Sequence, residues 1–166
     1  MSPPPSPRPR IRRLANGLDA TTAAAAAVAT TAGLAVLVVS ITVFAYHSSN
    51  HDEGAYLLQA AMLLQGQLEL HAGDLAGAFH PWFFVEDAGR LYPKYAPVPA
   101  AMFAASMALF GEPRVTLAAV AAANAALVYL LGSMAFDRRV GPAPAVPFSA
   151  PPLSPLTFAG FLPYTP

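Results

Sequence analysis

The chain has 166 residues, 55% hydrophobic and 11% charged, with nine Lys/Arg balanced by nine Asp/Glu. A charged fraction below half the roughly 25% of soluble domains, with the apolar residues gathered into long uncharged runs, excludes an ordinary soluble domain and describes a chain solvated by lipid. Zero net charge offers no footprint for nucleic acid, and the absence of cysteine excludes disulfides, thiol catalysis and cysteine-ligated metal.

Residues 1–21 read as a disordered basic cytoplasmic tail. Pro3, Pro4, Pro5, Pro7 and Pro9 deny its first ten residues a helix, because each proline removes an amide donor and clashes one turn back. Arg8, Arg10, Arg12 and Arg13 then precede the first apolar run, the placement that the positive-inside rule assigns to the cytoplasm. Residues 22–46 carry no charge over 25 positions and predict transmembrane helix 1. The run exceeds the roughly 7–15 residues of a signal-peptide core, which favours an uncleaved anchor.

Residues 47–95 form a polar region placed outside by this orientation. Ser48, Ser49 or Asn50 is suited to cap a helix beginning near His51, with Asp52 and Glu53 in its favourable first turn. Leu57, Leu58, Ala61, Met62 and Leu64 share one broad face of that helix, and Asp52, Tyr56 and Gln59 the opposite one. This pattern predicts a helix lying along the membrane surface, ended by Gly66. Phe79, Trp82, Phe83 and Phe84 make an aromatic cluster of headgroup type, and Asp87 to Gly89 reads as a turn.

Residues 96–111 predict transmembrane helix 2, although its uninterrupted apolar stretch from Pro97 to Phe110 is only 14 residues and needs an earlier start near Lys94 to cross. Gly111, Glu112, Pro113 and Arg114 form a turn, and residues 115–136 supply transmembrane helix 3. Residues 140–166 hold eight prolines and read as a partial fourth span that needs neighbours. Three crossings put Arg138 and Arg139 outside, against the basic bias; two crossings put them inside. The fold class is an all-α membrane protein, a multispanning helical bundle with interfacial helices in its external loop, since period-two alternation of a membrane barrel is missing.

Two places hold candidate chemistry. The adjacent carboxylates Asp52 and Glu53 can serve as general base or cation ligand just beyond a membrane exit, or simply cap a helix dipole. Lys94, between Tyr92–Pro93 and Tyr95, can bind a lipid phosphate as a point charge or merely snorkel to the interface, and Arg90 is a weaker instance of the same pattern. His47, His51, His71 and His80 lack zinc-site spacing, and neither a phosphate-cradling glycine loop nor a serine nucleophile elbow occurs.

At these residues a family resemblance enters. The run His51-Asp52-Glu53-Gly54-Ala55-Tyr56-Leu57-Leu58-Gln59-Ala60 with Leu64-Gln65-Gly66 resembles the first outer loop of multispanning glycosyltransferases that use polyprenyl-phosphate sugars, the bacterial protein mannosyltransferase and aminoarabinose transferase superfamily. Gly89-Arg90-Leu91-Tyr92-Pro93-Lys94-Tyr95-Ala96-Pro97 resembles a second part of that loop, Leu109-Phe110-Gly111-Glu112-Pro113-Arg114 the next turn, and Val128 to Gly132 with Phe136 to Arg139 the end of the third span.

The resemblance implies three crossings before Arg138, Asp52 as base toward an acceptor hydroxyl, Glu53 as a supporting carboxylate, Lys94 on the donor-lipid phosphate and Arg90 as its less secure neighbour. It implies the lipid bilayer, a polyprenyl-phosphate sugar and a hydroxyl acceptor as partners, with no metal or other cofactor assigned, in a bacterial inner membrane with a cytoplasmic amino end. Members of that family are several times longer, so the chain reads as an amino-terminal fragment of such an enzyme, inactive alone. A small membrane scaffold or assembly protein, or a degraded gene product, is the competing reading. Small residues at Ala118, Ala121, Ala122 and Ala125, with Asn124, suit close helix packing under either.

Overall fold

The computed structural model describes residues 8–44, 51–71, 73, 78, 80–135 and 159, the side chains of residues 8–21 and 51 excepted. Its elements in chain order are α1 (Arg8–Thr42), α2 (His51–Leu64), β1 (Leu70–His71), β2 (Phe84–Asp87), β3 (Arg90–Pro93), α3 (Pro97–Phe110) and α4 (Arg114–Ala135). The protein is mostly helical, and the apolar stretches Thr22–Thr42 and Arg114–Ala135 are long and apolar enough to cross a membrane. Only 22% of the first and 33% of the second is buried within the protein, so neither is covered as the core helix of a soluble domain is.

Helix α1 begins at Arg8, inside the stretch read from sequence as a disordered tail. Pro9 stands in its first turn, where an absent amide hydrogen breaks no intrahelical bond, and the next proline along the chain is Pro81. At 1.5 Å per residue its 35 residues extend roughly 52 Å, well beyond the roughly 30 Å of a hydrocarbon layer. The expected tail before Arg8, the capping residues Ser48 to Asn50, Phe79, and Arg138 and Arg139 lie outside the described residues; so does the proline-rich stretch of residues 140–166 apart from Ala159.

α1 and α4 run antiparallel, side by side. Arg114 at the start of α4 donates from Nη2 to the Phe44 carbonyl just past the end of α1, at 3.2 Å. Farther along, Gly33 faces Ala118 and Ala122, and Ala25 packs on Tyr129. Arg114 also reaches Glu112 at 3.1 Å, which holds the α3–α4 turn against the end of α1.

α3 is 14 residues long, roughly 21 Å. Gly111 closes it in the left-handed conformation, its N–H donating to the Met107 carbonyl at 2.9 Å. The Thr116 hydroxyl of α4 donates to the Met102 carbonyl of α3 at 2.9 Å and meets Ser106 Oγ at 2.8 Å, a polar joint between two otherwise apolar helices. The principal core joins all four helices through Val36, Tyr56, Ala60, Ala100, Phe103, Ala104, Leu117 and Ala121, with Ala159 fully buried among them. Of the proline-rich carboxyl-terminal stretch, this one described residue thus reaches the bundle interior.

The region between α2 and α3 holds an antiparallel sheet of order β1-β3-β2, which the all-α expectation did not include. The Asp87 to Gly89 turn anticipated from sequence is its hairpin: Asp87 pairs with Arg90 around Ala88 (φ 49°) and Gly89 (φ 77°). Two successive left-handed residues match the strand twist in a two-residue loop, and glycine supplies one of them without a steric penalty. Leu91, at 1% exposure, packs the sheet with Phe84 onto Ala55 and Met62 of α2. The aromatic cluster read as interfacial is therefore divided: Phe84 is buried here, and Trp82 is exposed. α2 ends at Leu64, and Gly66, anticipated as its stop, closes it in the left-handed conformation (φ 70°), with Gln67 N–H donating to the Met62 carbonyl at 2.9 Å.

Candidate functional site

The site forms where the first turn of α2 meets the link from β3 to α3. On a helix, positions i, i+4 and i+7 share a face, so Asp52, Tyr56 and Gln59 rise in one stripe along α2. All three engage a single residue, Tyr95. Its hydroxyl donates to Asp52 Oδ1 at 2.8 Å, its ring stacks on Tyr56 with centroids 4.8 Å apart and planes at 24°, and its carbonyl accepts from Gln59 Nε2 at 3.3 Å. Phe83 closes a further side of the ring at 5.3 Å.

This brings Asp52 and Lys94 into one neighbourhood, although 42 positions separate them in sequence. Lys94 immediately precedes Tyr95, and its backbone N–H donates to the Phe83 carbonyl at 2.8 Å. Phe83 has φ 62°, so an uncommon backbone conformation sits where β2 begins and Lys94 is anchored. The Lys94 side chain is exposed and Asp52 half-buried. The arrangement thus offers an acceptor oxygen fixed by Tyr95 and, on the adjoining backbone, a lysine whose side chain reaches solvent.

Glu53 and Arg90 occupy different surroundings. Glu53 is fully buried. It shares the helical stripe of Leu57 and Ala60, which belongs to the principal core, so the two adjacent acids diverge by about one-quarter turn and face different neighbours. Arg90 lies five residues before Tyr95, about 16 Å away along an extended strand. It pairs with Glu69 at 3.0 Å, and His71 Nε2 lies 3.9 Å from the same carboxylate oxygen. A hydrogen bond with the Tyr92 side chain, and then the charge of Glu69, raise the Arg90 pKa above its ordinary value. Arg90 is thereby committed to the sheet end and stands apart from the Asp52–Tyr95 junction.

Tyr95 is the residue that sequence reading left as a flanking aromatic. The stripe of Asp52, Tyr56 and Gln59 on α2 was visible in the sequence; what calls for a partner is that Tyr56 and Gln59 are buried, which periodicity does not show. Among the described residues no group of three or more His, Asp or Glu side chains is placed to hold a metal ion. Comparison with protein-family models, curated protein sequences and solved structures gave no match to this chain.

Proposed function

We propose that the chain is the amino-terminal part of an integral membrane glycosyltransferase, which moves a sugar from a polyprenyl-phosphate donor to an acceptor hydroxyl at the external face of a bacterial inner membrane. The observation that carries this reading is the Asp52–Tyr95 hydrogen bond of 2.8 Å, which joins the acid of one motif to the segment holding the cation of the other. In the proposed step the acceptor oxygen attacks the anomeric carbon as the carbon–oxygen bond to the lipid phosphate breaks. Asp52 takes the hydroxyl proton, and the departing phosphate keeps the bonding pair, its charge offset by Lys94. A single displacement inverts the anomeric centre. Glu53 supports the site from within the core, and Arg90 serves the sheet.

The membrane topology belongs to the same proposal. α1 and α4 cross, and α3 remains at the outer side with α2 and the sheet, giving two crossings in place of the three implied by the resemblance. Support comes from Arg114 reaching the Phe44 carbonyl: the start of α4 lies beside the end of α1, so no full crossing separates them. The short length of α3 agrees. Arg138 and Arg139 follow Ala135 by three and four residues, within about 14 Å of chain. Two crossings put them on the side of Arg8, Arg10, Arg12 and Arg13, which satisfies the positive-inside rule at both ends.

The test is sugar transfer from a defined polyprenyl-phosphate sugar by membranes carrying the chain within its complete gene product. Asp52→Asn, which keeps the size and a hydrogen-bond acceptor, is expected to lower turnover at least 100-fold at unchanged protein level. Turnover equal to that of the parent would remove Asp52 from the chemistry.

A further inference from the structure

We infer that Tyr95 is a positioning residue, a latch that fixes the Asp52 carboxylate against the backbone segment that carries Lys94. The inference rests on the glycosyl-transfer reading for its catalytic consequence and on contacts alone for the latch. Tyr95 is held at every part of its structure: hydroxyl on Asp52, ring on Tyr56 and Phe83, carbonyl on Gln59. Its preceding neighbour is held too, through the Lys94 N–H on the Phe83 carbonyl. Tyr95 also packs against both hydrophobic clusters, the one joining the four helices and the one beneath the sheet.

A residue so tethered has few rotamers left, and its phenol hydrogen points to one carboxylate oxygen. A carboxylate at the beginning of a helix otherwise rotates about its side-chain bonds to follow the nearest amide or water. The phenol selects one of these orientations. It takes one of the about four acceptor positions of an ionised carboxylate, so a proton can still be received by the same group. The phenol thereby ties the acid to the backbone from which Lys94 projects, because Lys94 and Tyr95 share a peptide plane, while the exposed lysine side chain keeps its own rotamers to follow a departing phosphate. This suits a substrate pair in which the nucleophilic hydroxyl and the departing phosphate lie on opposite sides of one sugar carbon, where a misplacement of about 1 Å costs about 100-fold in rate.

Tyr95→Phe removes only the hydroxyl and keeps the ring stack. In the complete gene product it is expected to lower kcat about 10- to 100-fold, the loss of one hydrogen bond to a charged group, with the donor KM within about twofold of the parent. The double variant Asp52→Asn/Tyr95→Phe should be no slower than Asp52→Asn alone, since the hydroxyl acts through the acid. If Asp52→Asn is inactive while Tyr95→Phe retains the parent kcat, the latch is wrong and the transfer reading stands.

Hydrogen exchange read on the same preparations needs no turnover. Amides in the first turn of α2 should exchange faster in Tyr95→Phe than in the parent, with α4 unchanged. Unaltered exchange there overturns the latch. Faster exchange together with parent-like transfer by Asp52→Asn keeps the latch and defeats the catalytic reading.

Discussion

Replacing Gly33 tests the α1–α4 pair at its tightest point. A Cβ added there would stand 3.0 Å from the Ala118 carbonyl oxygen and 3.4 Å from Ala122 Cβ. The first obstacle is backbone, so relief requires the two helices to separate by several tenths of an ångström. Alanine gains about 1 kcal/mol of helix propensity over glycine. Overpacking costs about 1–3 kcal/mol. The balance for Gly33→Ala therefore falls between about zero and 2 kcal/mol of destabilisation, whereas Gly33→Leu adds three more carbons to the same gap without further propensity gain and should exceed about 2 kcal/mol. Gly54, exposed on α2 with nothing within 4 Å of an added Cβ, is the control: Gly54→Ala should stabilise by up to about 1 kcal/mol. Unfolding the purified chain in mixed micelles with increasing denaturing detergent, followed by helical circular dichroism, measures all three. Stability of Gly33→Leu equal to the parent would refute the close antiparallel packing.

Arg114→Gln should destabilise by about 1.5–3 kcal/mol in the same assay, because it removes a charged donor from both the Phe44 carbonyl and Glu112 at a site only 17% exposed. Single cysteines at Ser6, Gly73 and Ala135 report the topology under an impermeant thiol reagent in intact spheroplasts: Gly73→Cys should label, and the other two should not, while labelling at Ala135 would restore three crossings. Lys94→Met should weaken binding of a polyprenyl-phosphate donor by about fivefold, the size suited to an exposed charge, with Lys94→Arg recovering most of it. Equal donor affinity in a well-folded Lys94→Met would leave snorkelling as the role of that lysine.

The helices were legible because their causes are local. Uncharged runs fixed the apolar stretches of α1 and α4, Gly66 and Gly111 marked the ends of α2 and α3, and the Ala88–Gly89 turn was visible as a break before Arg90. The sheet was not. β1 has two residues and β2 and β3 four each, too short for alternation to emerge against the aromatic run beside them. The start of α1 was read at residue 22, where the uncharged run begins, whereas the helix continues back through the charged residues to Arg8, with Pro9 in its first turn where it breaks no bond.

The direction of α4 relative to α1 was harder to read, and the cause is general. Length and hydropathy identify a segment able to cross a bilayer, but not which way it runs beside its neighbours; that follows from what its first residue touches. Here the deciding contact is Arg114 on the Phe44 carbonyl, 70 positions apart, and nothing in the spacing of either segment announces it. The same holds for the site. The stripe of Asp52, Tyr56 and Gln59 was read as the polar face of a helix lying along the membrane surface, whereas Tyr56 and Gln59 are buried and meet Tyr95, which comes from beyond the intervening sheet. That sheet is what returns the chain: β3 lies between β1 and β2 and delivers Pro93, Lys94 and Tyr95 back to the first turn of α2. Periodicity therefore located one half of the junction, and the other half depended on a hairpin too short to read. An acid and a cation far apart in sequence are brought to one end of α2 by the tyrosine that follows the lysine and bonds the acid.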